Sequence, residues 1–127
     1  MRYVHTCYRV LDLDRSIDFY ANKLGLDLVR KSPVGSDATN AFFAVPGDPE
    51  PRLELTLNHD QREPYEIGTG YSHVAFAVED LDALSDKLEE AGGVDFESKP
   101  HAMGGSGTRL FFVKDPDGYR IEFIERK

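Results

Sequence analysis

The chain of 127 residues contains a single cysteine, Cys7, so no disulfide can close within it, and this usage fits a reducing cytoplasmic setting. No apolar run approaches membrane-spanning length. The opening MRYVHTCYRV alternates in polarity and lacks the apolar core of a secretory leader. Positive charge is in deficit: 15 Lys and Arg stand against 23 Asp and Glu, a net charge of −8. That balance argues against nucleic acid or an anionic membrane surface as partner. An anionic small ligand needs only a few local cations and stays open. Gly104-Gly105-Ser106-Gly107 lacks the strand, lysine and helix of a phosphate-binding loop, so that reading is rejected. What remains is ordinary soluble-protein composition, 40% hydrophobic and 30% charged, with length enough to bury a real core.

The chain repeats itself. Shifted by 68 positions, His5 to Asp14 falls on His73 to Asp82, and Leu24-Gly25-Leu26-Asp27 falls on Gly92-Gly93-Val94-Asp95. Val45 falls on Val113, and Leu53-Glu54-Leu55 falls on Ile121-Glu122-Phe123. Identity is low, but one offset unites two strand histidines and two strand glutamates, which predicts two copies of one module, residues 1–65 and 66–127.

Each copy reads as strand, helix, then three strands. The opening strands span Tyr3 to Val10 and Ser72 to Val78. Asp12 or Asp14, and Asp80 or Asp82, are helix N-cap candidates. Ile17, Tyr20 and Leu24 recur at helical spacing before Gly25, as do Leu84, Leu88 and Ala91 before Gly92. Strand-like runs follow at Leu26–Lys31, Asn40–Val45 and Arg52–Asn58, then at Val94–Lys99, Thr108–Lys114 and Tyr119–Glu125. The expected fold class is α+β, two βαβββ modules in tandem forming curved mixed sheets, with His59 to Gly70 as the linker. Asp115-Pro116-Asp117-Gly118 is a turn signal before the last strand: proline presets φ, aspartate bonds nearby backbone, and glycine accepts positive φ.

Strand parity sorts the polar residues. His5 shares a face with Cys7 and Arg9. Glu54 shares one with Thr56 and Asn58, opposite Leu53, Leu55 and Leu57. His73 lies with Ala75 and Ala77, opposite Val74, Phe76 and Val78. Glu122 stands mid-strand, where a carboxylate is costly unless something pairs with it. Each module thus offers one His and one Glu on the less apolar side of its sheet. If the modules face each other, the four groups converge into a donor set that suits Ni, Co, Zn, Mn or Fe, with open positions for substrate oxygens. The bland alternative is two satisfied histidines and two surface glutamates. His59 and His101 have no repeat partner and read as solvated loop residues, and Cys7 reads as a packed small side chain.

Three segments, HTCYRVLDLDRSIDFYANKLGL (5–26), LELTLN (53–58) and DPDGYRIE (115–122), with a weaker one, IGTGYSHVAFAV (67–78), resemble glyoxalase I (lactoylglutathione lyase) in the vicinal-oxygen-chelate superfamily. Together they cover the chain nearly end to end. The resemblance implies metal ligands at His5, Glu54, His73 and Glu122, and glutathione contacts at Arg9 and Asn58. It further implies nickel as the metal, with Co, Zn or Mn as alternatives, and a cytoplasmic homodimer whose sites are shared between chains. One departure stands out: relatives often carry a lysine where this chain has Ala102-Met103-Gly104-Gly105, within the 101–109 loop, so the identity of the thiol co-substrate stays open.

The implied reaction is methylglyoxal detoxification: the hemithioacetal of methylglyoxal and glutathione is isomerised to S-lactoylglutathione by proton transfer through an enediolate. A carboxylate must accept and return the proton. The resemblance assigns this first to Glu122, with Glu54 as its partner for the other face. Three readings compete. A metal-dependent acyl-CoA epimerase would use the same fold and proton abstraction, but the matches at Arg9 and Asn58 favour the lyase. A metal-free antibiotic-sequestering module would lack the four ligands. A ring-cleaving dioxygenase wants two His and one carboxylate, and the second carboxylate argues against it.

Overall fold

In the computed structural model, which describes all of residues 1–127, β1 (Thr6–Arg9) buries Tyr8 while Cys7 and Arg9 remain exposed. Alternating side chains divide the strand between core and solvent, as its sequence pattern predicts. Asp12 ends the connection in an extended conformation, and its carboxylate accepts from Arg15 N at 3.1 Å, capping α1 (Leu13–Ile17). The expected regular helix then departs from expectation. Asp18–Lys23 widens into a π-helical segment in which Leu24 N donates to Phe19 O. The wider turn lets the consecutive rings of Phe19 and Tyr20 both enter the core. There the Tyr20 hydroxyl meets that of Tyr8 at 2.5 Å. Gly25, at φ 82°, turns the chain out of the helix.

Three strands complete the first unit: β2 (Asp27–Val34), β3 (Ala38–Ala44) and β4 (Leu53–Asn58). Their order is β1-β4-β3-β2, with β1 parallel to β4 and the other pairs antiparallel. The edge position of β2 accommodates Pro33, which has no N–H to offer a further neighbour. Phe43, Leu53 and Leu55 point into the core and are almost wholly buried, each contributing on the order of 2 kcal/mol of hydrophobic stabilisation.

The second unit repeats the scheme. It contains β5 (Val74–Val78), α2 (Leu81–Ala91), β6 (Asp95–Phe96), β7 (His101–Ala102), β8 (Arg109–Lys114) and β9 (Arg120–Glu125). Asp80 caps α2 by accepting from Ala83 N at 3.0 Å. The sheet order is β5-β9-β8-β6, with β7 also on β8; β5 and β9 run parallel. The two compact units meet between Glu66 and Ile67 in the chain. Both are βαβββ arrangements with mixed sheets, the strand after α2 being broken into β6 and β7, so the fold class is α+β.

Two expectations need correction here. The run 94–99 predicts one strand, but β6 stops at Phe96 and pairing resumes only at β7. The amides of Glu97 and Ser98 both donate to Phe112 O, at 2.9 and 3.1 Å, and Ser98 Oγ accepts from Phe112 N at 3.0 Å. That is a bulge, and Pro100 follows without an N–H to continue the ladder. As a result His101, expected in a loop, is the first residue of a short strand. Second, the shift of 68 positions relates β1 to β5 and β4 to β9, but not β3 to β8. Phe43 opposes Leu53 whereas Val113 opposes Ile121. Val113 therefore corresponds to Phe43, not Val45, because the loop before β8 is longer than the turn before β3.

The Asp115–Gly118 turn is built around one carboxylate. Asp115 is buried, and its Oδ1 accepts from Asp117 N and Tyr119 N, both at 2.9 Å. Its backbone bonds Tyr119 O and Gly118 N, and Gly118 takes φ 95°. This turn sets where β9 begins and hence which residues of it face which way. Asp115→Ala leaves two amides without their acceptor and is expected to cost about 2–3 kcal/mol, read as a lowered denaturant midpoint at unchanged slope. No helix is long and apolar enough to cross a membrane.

Candidate metal centre

In each unit the first strand runs parallel beside the last. Cys7 is in register with Glu54 in the first unit, and Ala75 with Glu122 in the second. His5 and His73 each stand two residues earlier, on the same side of the sheet. His5 Nε2 therefore lies 3.0 Å from Glu54 Oε1, and His73 Nε2 lies 3.3 Å from Glu122 Oε1. Both carboxylates are largely covered, with 12% of each side chain exposed, while the imidazoles are 39% and 32% exposed. The two pairs are near copies of one geometry.

That spacing fits metal ligation. Two donors each about 2.1 Å from one ion, and at a right angle, lie about 3.0 Å from each other. The donor chemistry, imidazole nitrogen with carboxylate oxygen, suits a borderline divalent cation. Neither unit alone brings three or more such side chains together; the candidates occur two per unit.

Neighbouring residues hold the pairs. Ser72 Oγ lies 2.7 Å from His73 Nδ1 and fixes the ring's orientation; were Nε2 to bind a metal, Nδ1 would carry the hydrogen and donate it to this hydroxyl. Val4 occupies the corresponding place before His5 and has no hydroxyl. Phe42 packs edge-on against the His5 ring at 5.7 Å, and Phe112 against His73 at 5.2 Å. Each phenylalanine opposes the glutamate of its own unit across the ladder. An arginine covers each ring: Arg30 lies 4.3 Å over Phe42 and Arg120 lies 4.4 Å over Phe112. Arg120 is held in place by a two-point ion pair to Glu97, at 2.9 and 2.7 Å. That pair holds the Glu97 carboxyl below its usual range, chiefly through the arginine hydrogen bond.

Glu54 has a further contact. Asn40 Nδ2 donates to its Oε2 at 2.5 Å, Thr56 Oγ1 donates to Asn40 Oδ1 at 3.0 Å, and Cys7 Sγ lies 3.3 Å from Thr56 Oγ1. Cys7 is exposed, correcting its reading as a packed side chain: its position on the His5 face turns it away from the core. Burial of the thiol is nonetheless enough, as the largest cause, to push its pKa up.

Arg9 is exposed on β1, on the face of His5, in register with Thr56. Asn58 ends β4, and its amide donates to the Tyr65 hydroxyl at 3.1 Å. His59 is exposed but ordered by both ring nitrogens, which meet Thr39 Oγ1 at 2.8 Å and Ser36 O at 3.1 Å. It pins the β2–β3 turn, a structural part beyond the solvated role its sequence suggests. Sequence reasoning did not pick out Asn40, Phe42, Phe112 or Ser72. The doublets Phe42-Phe43 and Phe111-Phe112 were a signal, but they are out of phase: Phe42 and Phe112 pack against the histidine rings, while Phe43 and Phe111 on the opposite face are almost wholly buried.

The chain is similar to known proteins along nearly its whole length. The family model described as the Glyoxalase/Bleomycin resistance protein/Dioxygenase superfamily matches residues 2–123. A lactoylglutathione lyase of Haemophilus influenzae is 43% identical over 130 residues, covering 100% of this chain and 94% of that protein. The crystal structure of glyoxalase I from Zea mays superposes with a TM-score of 0.89 at 38% identity, over 98% of this chain and 44% of that one. The Leishmania major glyoxalase I, described as trypanothione-dependent, superposes with a TM-score of 0.82 at 37% identity, over 98% of this chain and 86% of that one. The chain spans less than half the length of the plant lactoylglutathione lyases it matches, 44% of one from Arabidopsis thaliana. With a family model matching from near one end to the other, and a bacterial relative aligned over nearly its whole length, the chain belongs to the Glyoxalase/Bleomycin resistance protein/Dioxygenase superfamily, in its lactoylglutathione lyase branch.

Proposed function

We propose that this chain isomerises the hemithioacetal of methylglyoxal and glutathione to S-lactoylglutathione, using His5, Glu54, His73 and Glu122 as ligands of one divalent metal. The observation that carries the proposal is the repeated His–Glu pair, at 3.0 and 3.3 Å, at equivalent register in both units. A bound divalent cation supplies positive charge where negative charge builds on substrate oxygen as the carbon-bound proton leaves. The remaining work falls to side chains. Glu122 takes the proton from C1 and returns it to C2, so the reaction is balanced without any further reactant. Glu54 is the second carboxylate, available for the other face of the substrate. Arg9 binds a glutathione carboxylate by charge-assisted hydrogen bonds. Asn58, oriented by Tyr65, offers its amide to the peptide part of the thiol.

Each unit carries two of the four ligands, and the active form is a cytoplasmic homodimer: one chain contributes His5 and Glu54, and its partner contributes His73 and Glu122. The metal is nickel or cobalt in preference to zinc. This rests on the resemblance to bacterial enzymes, since imidazole and carboxylate accept all three. The test is reconstitution of metal-free protein with each metal in turn, measuring S-lactoylglutathione formation. Nickel or cobalt is expected to give the fastest turnover and zinc little; a zinc form faster than the nickel form overturns the preference. No turnover with any metal, in folded protein shown to bind one, overturns the activity. Running the same assay with glutathione and with other low-molecular-weight thiols identifies the co-substrate.

A further inference from the structure

The two glutamates are not held alike. Glu54 accepts at Oε2 from the amide of Asn40, and Thr56 secures that amide through its carbonyl. In the second unit Asn40 and Thr56, which oppose each other across β3 and β4, are replaced by Leu110 and Ile124, which oppose each other across β8 and β9. Neither has a polar side-chain atom. The copies thus share the His–Glu pair, and only the first has an amide behind its carboxylate.

The direction of the hydrogen bonds follows from chemistry. A carboxylate only accepts, so Asn40 must turn its NH2 towards Glu54 and its carbonyl away. That carbonyl must then be met by a donor, and the Thr56 hydroxyl spends its hydrogen there. The Thr56 oxygen is left to accept, and Cys7 Sγ lies at 3.3 Å to supply the S–H. Every donor in the series is aimed towards Glu54. With Oε2 occupied, the atom left facing His5 is Oε1. Each link is part-buried or at the sheet surface, where a neutral amide donating to a charged carboxylate is stronger than a bond between neutral groups.

We infer that Asn40, secured by Thr56, is a positioning residue that commits Glu54 to present Oε1, and that it raises the affinity of the first unit's His–Glu pair for a divalent metal. It acts through Glu54 and touches neither metal nor substrate. This rests on the metal-ligand reading proposed above. Partners of this kind, one step behind a ligand, typically change metal affinity by about 10–100-fold when removed.

The test measures nickel(II) affinity of the full-length protein by competition with a chelator of known strength, with folding followed separately by circular dichroism. Asn40→Leu gives the first unit the side chain found in the second, and is expected to weaken nickel binding by about 10-fold or more. Thr56→Val removes the hydroxyl at constant shape and is expected to weaken it by a smaller factor, while Thr56→Ser, which keeps the hydroxyl, restores wild-type affinity. A purely packing role would make Thr56→Ser worse than Thr56→Val, because serine loses the methyl group. If Asn40→Leu fails to fold, the Thr56 pair decides the matter. Folded Asn40→Leu binding as tightly as wild type, or Thr56→Ser binding no better than Thr56→Val, overturns the positioning role. Wild-type protein that binds no divalent metal overturns the metal reading itself, and this inference with it, so the two failures are distinct.

Discussion

Glu122→Gln is expected to leave a folded protein that has lost about 10³-fold or more in kcat/KM for the hemithioacetal. That loss corresponds to roughly 4 kcal/mol of transition-state stabilisation. Glutamine has the size of glutamate and keeps an oxygen to set against His73. Only 12% of the Glu122 side chain is exposed, so an isosteric change disturbs packing little. What glutamine cannot do is accept a proton from carbon. A carboxylate is suited to that step because it can take the proton and give it back within one turnover. The measurement is initial rate at saturating metal and over a range of substrate, alongside thermal melting of the same preparation. The expected pattern is a collapse in kcat with little change in melting. Retention of more than about a tenth of the wild-type rate in folded, metal-loaded protein would remove Glu122 from the role of base.

The second large effect is a gain. Neither His5→Ala nor His73→Ala alone is expected to be active, since each loses one ligand of every site. Unfolded together and refolded, the two variants are expected to recover roughly a quarter of wild-type activity if sites are shared between chains. Random pairing makes about half the dimers mixed, and each mixed dimer holds one intact site and one doubly mutated site. If each site lies within one chain, every site carries a mutation and nothing returns. The motive is that ligands occur as two pairs, one in each unit, and no unit assembles three. Mass analysis of the refolded mixture establishes whether mixed dimers are present; their presence without activity would rule out sharing.

Much of this protein was legible in the order of its residues. The α+β class and the βαβββ repeat follow from alternation, helical spacing and turn residues, all of which are local properties of the chain. The N-caps were narrowed to Asp12 or Asp14 and to Asp80 or Asp82, because a short carboxylate before an apolar-periodic segment favours that place; the structure selects Asp12 and Asp80. The common face of His5, Cys7 and Arg9 follows from strand parity alone, as does that of Glu54, Thr56 and Asn58. The coincidence of two histidines and two glutamates at one offset needed no coordinates.

Other features depended on which residues meet across space. The widening of the first helix arises because Phe19 and Tyr20 must both reach the core, a demand made by Tyr8 and Phe43 from distant strands. The break between β6 and β7 depends on both amides of Glu97 and Ser98 finding Phe112 O. Sequence shows Pro100, but not the carbonyl those amides choose. The phenylalanine doublets show the limit most plainly: an offset of 68 relates the glutamates yet mis-pairs β3 with β8. The slip is two residues, which keeps each side chain on its face but changes its partner, so only the observed ladder sets Phe42 and Phe112 opposite the glutamates and beside the histidines. Asn40 belongs to the same class. It sits 14 residues from Glu54 in the chain with no motif to mark it, and it reaches the carboxylate because antiparallel pairing of β3 and β4 sets it one pleat away. Periodicity assigns a side chain to a face; register and tertiary packing decide which partner waits there.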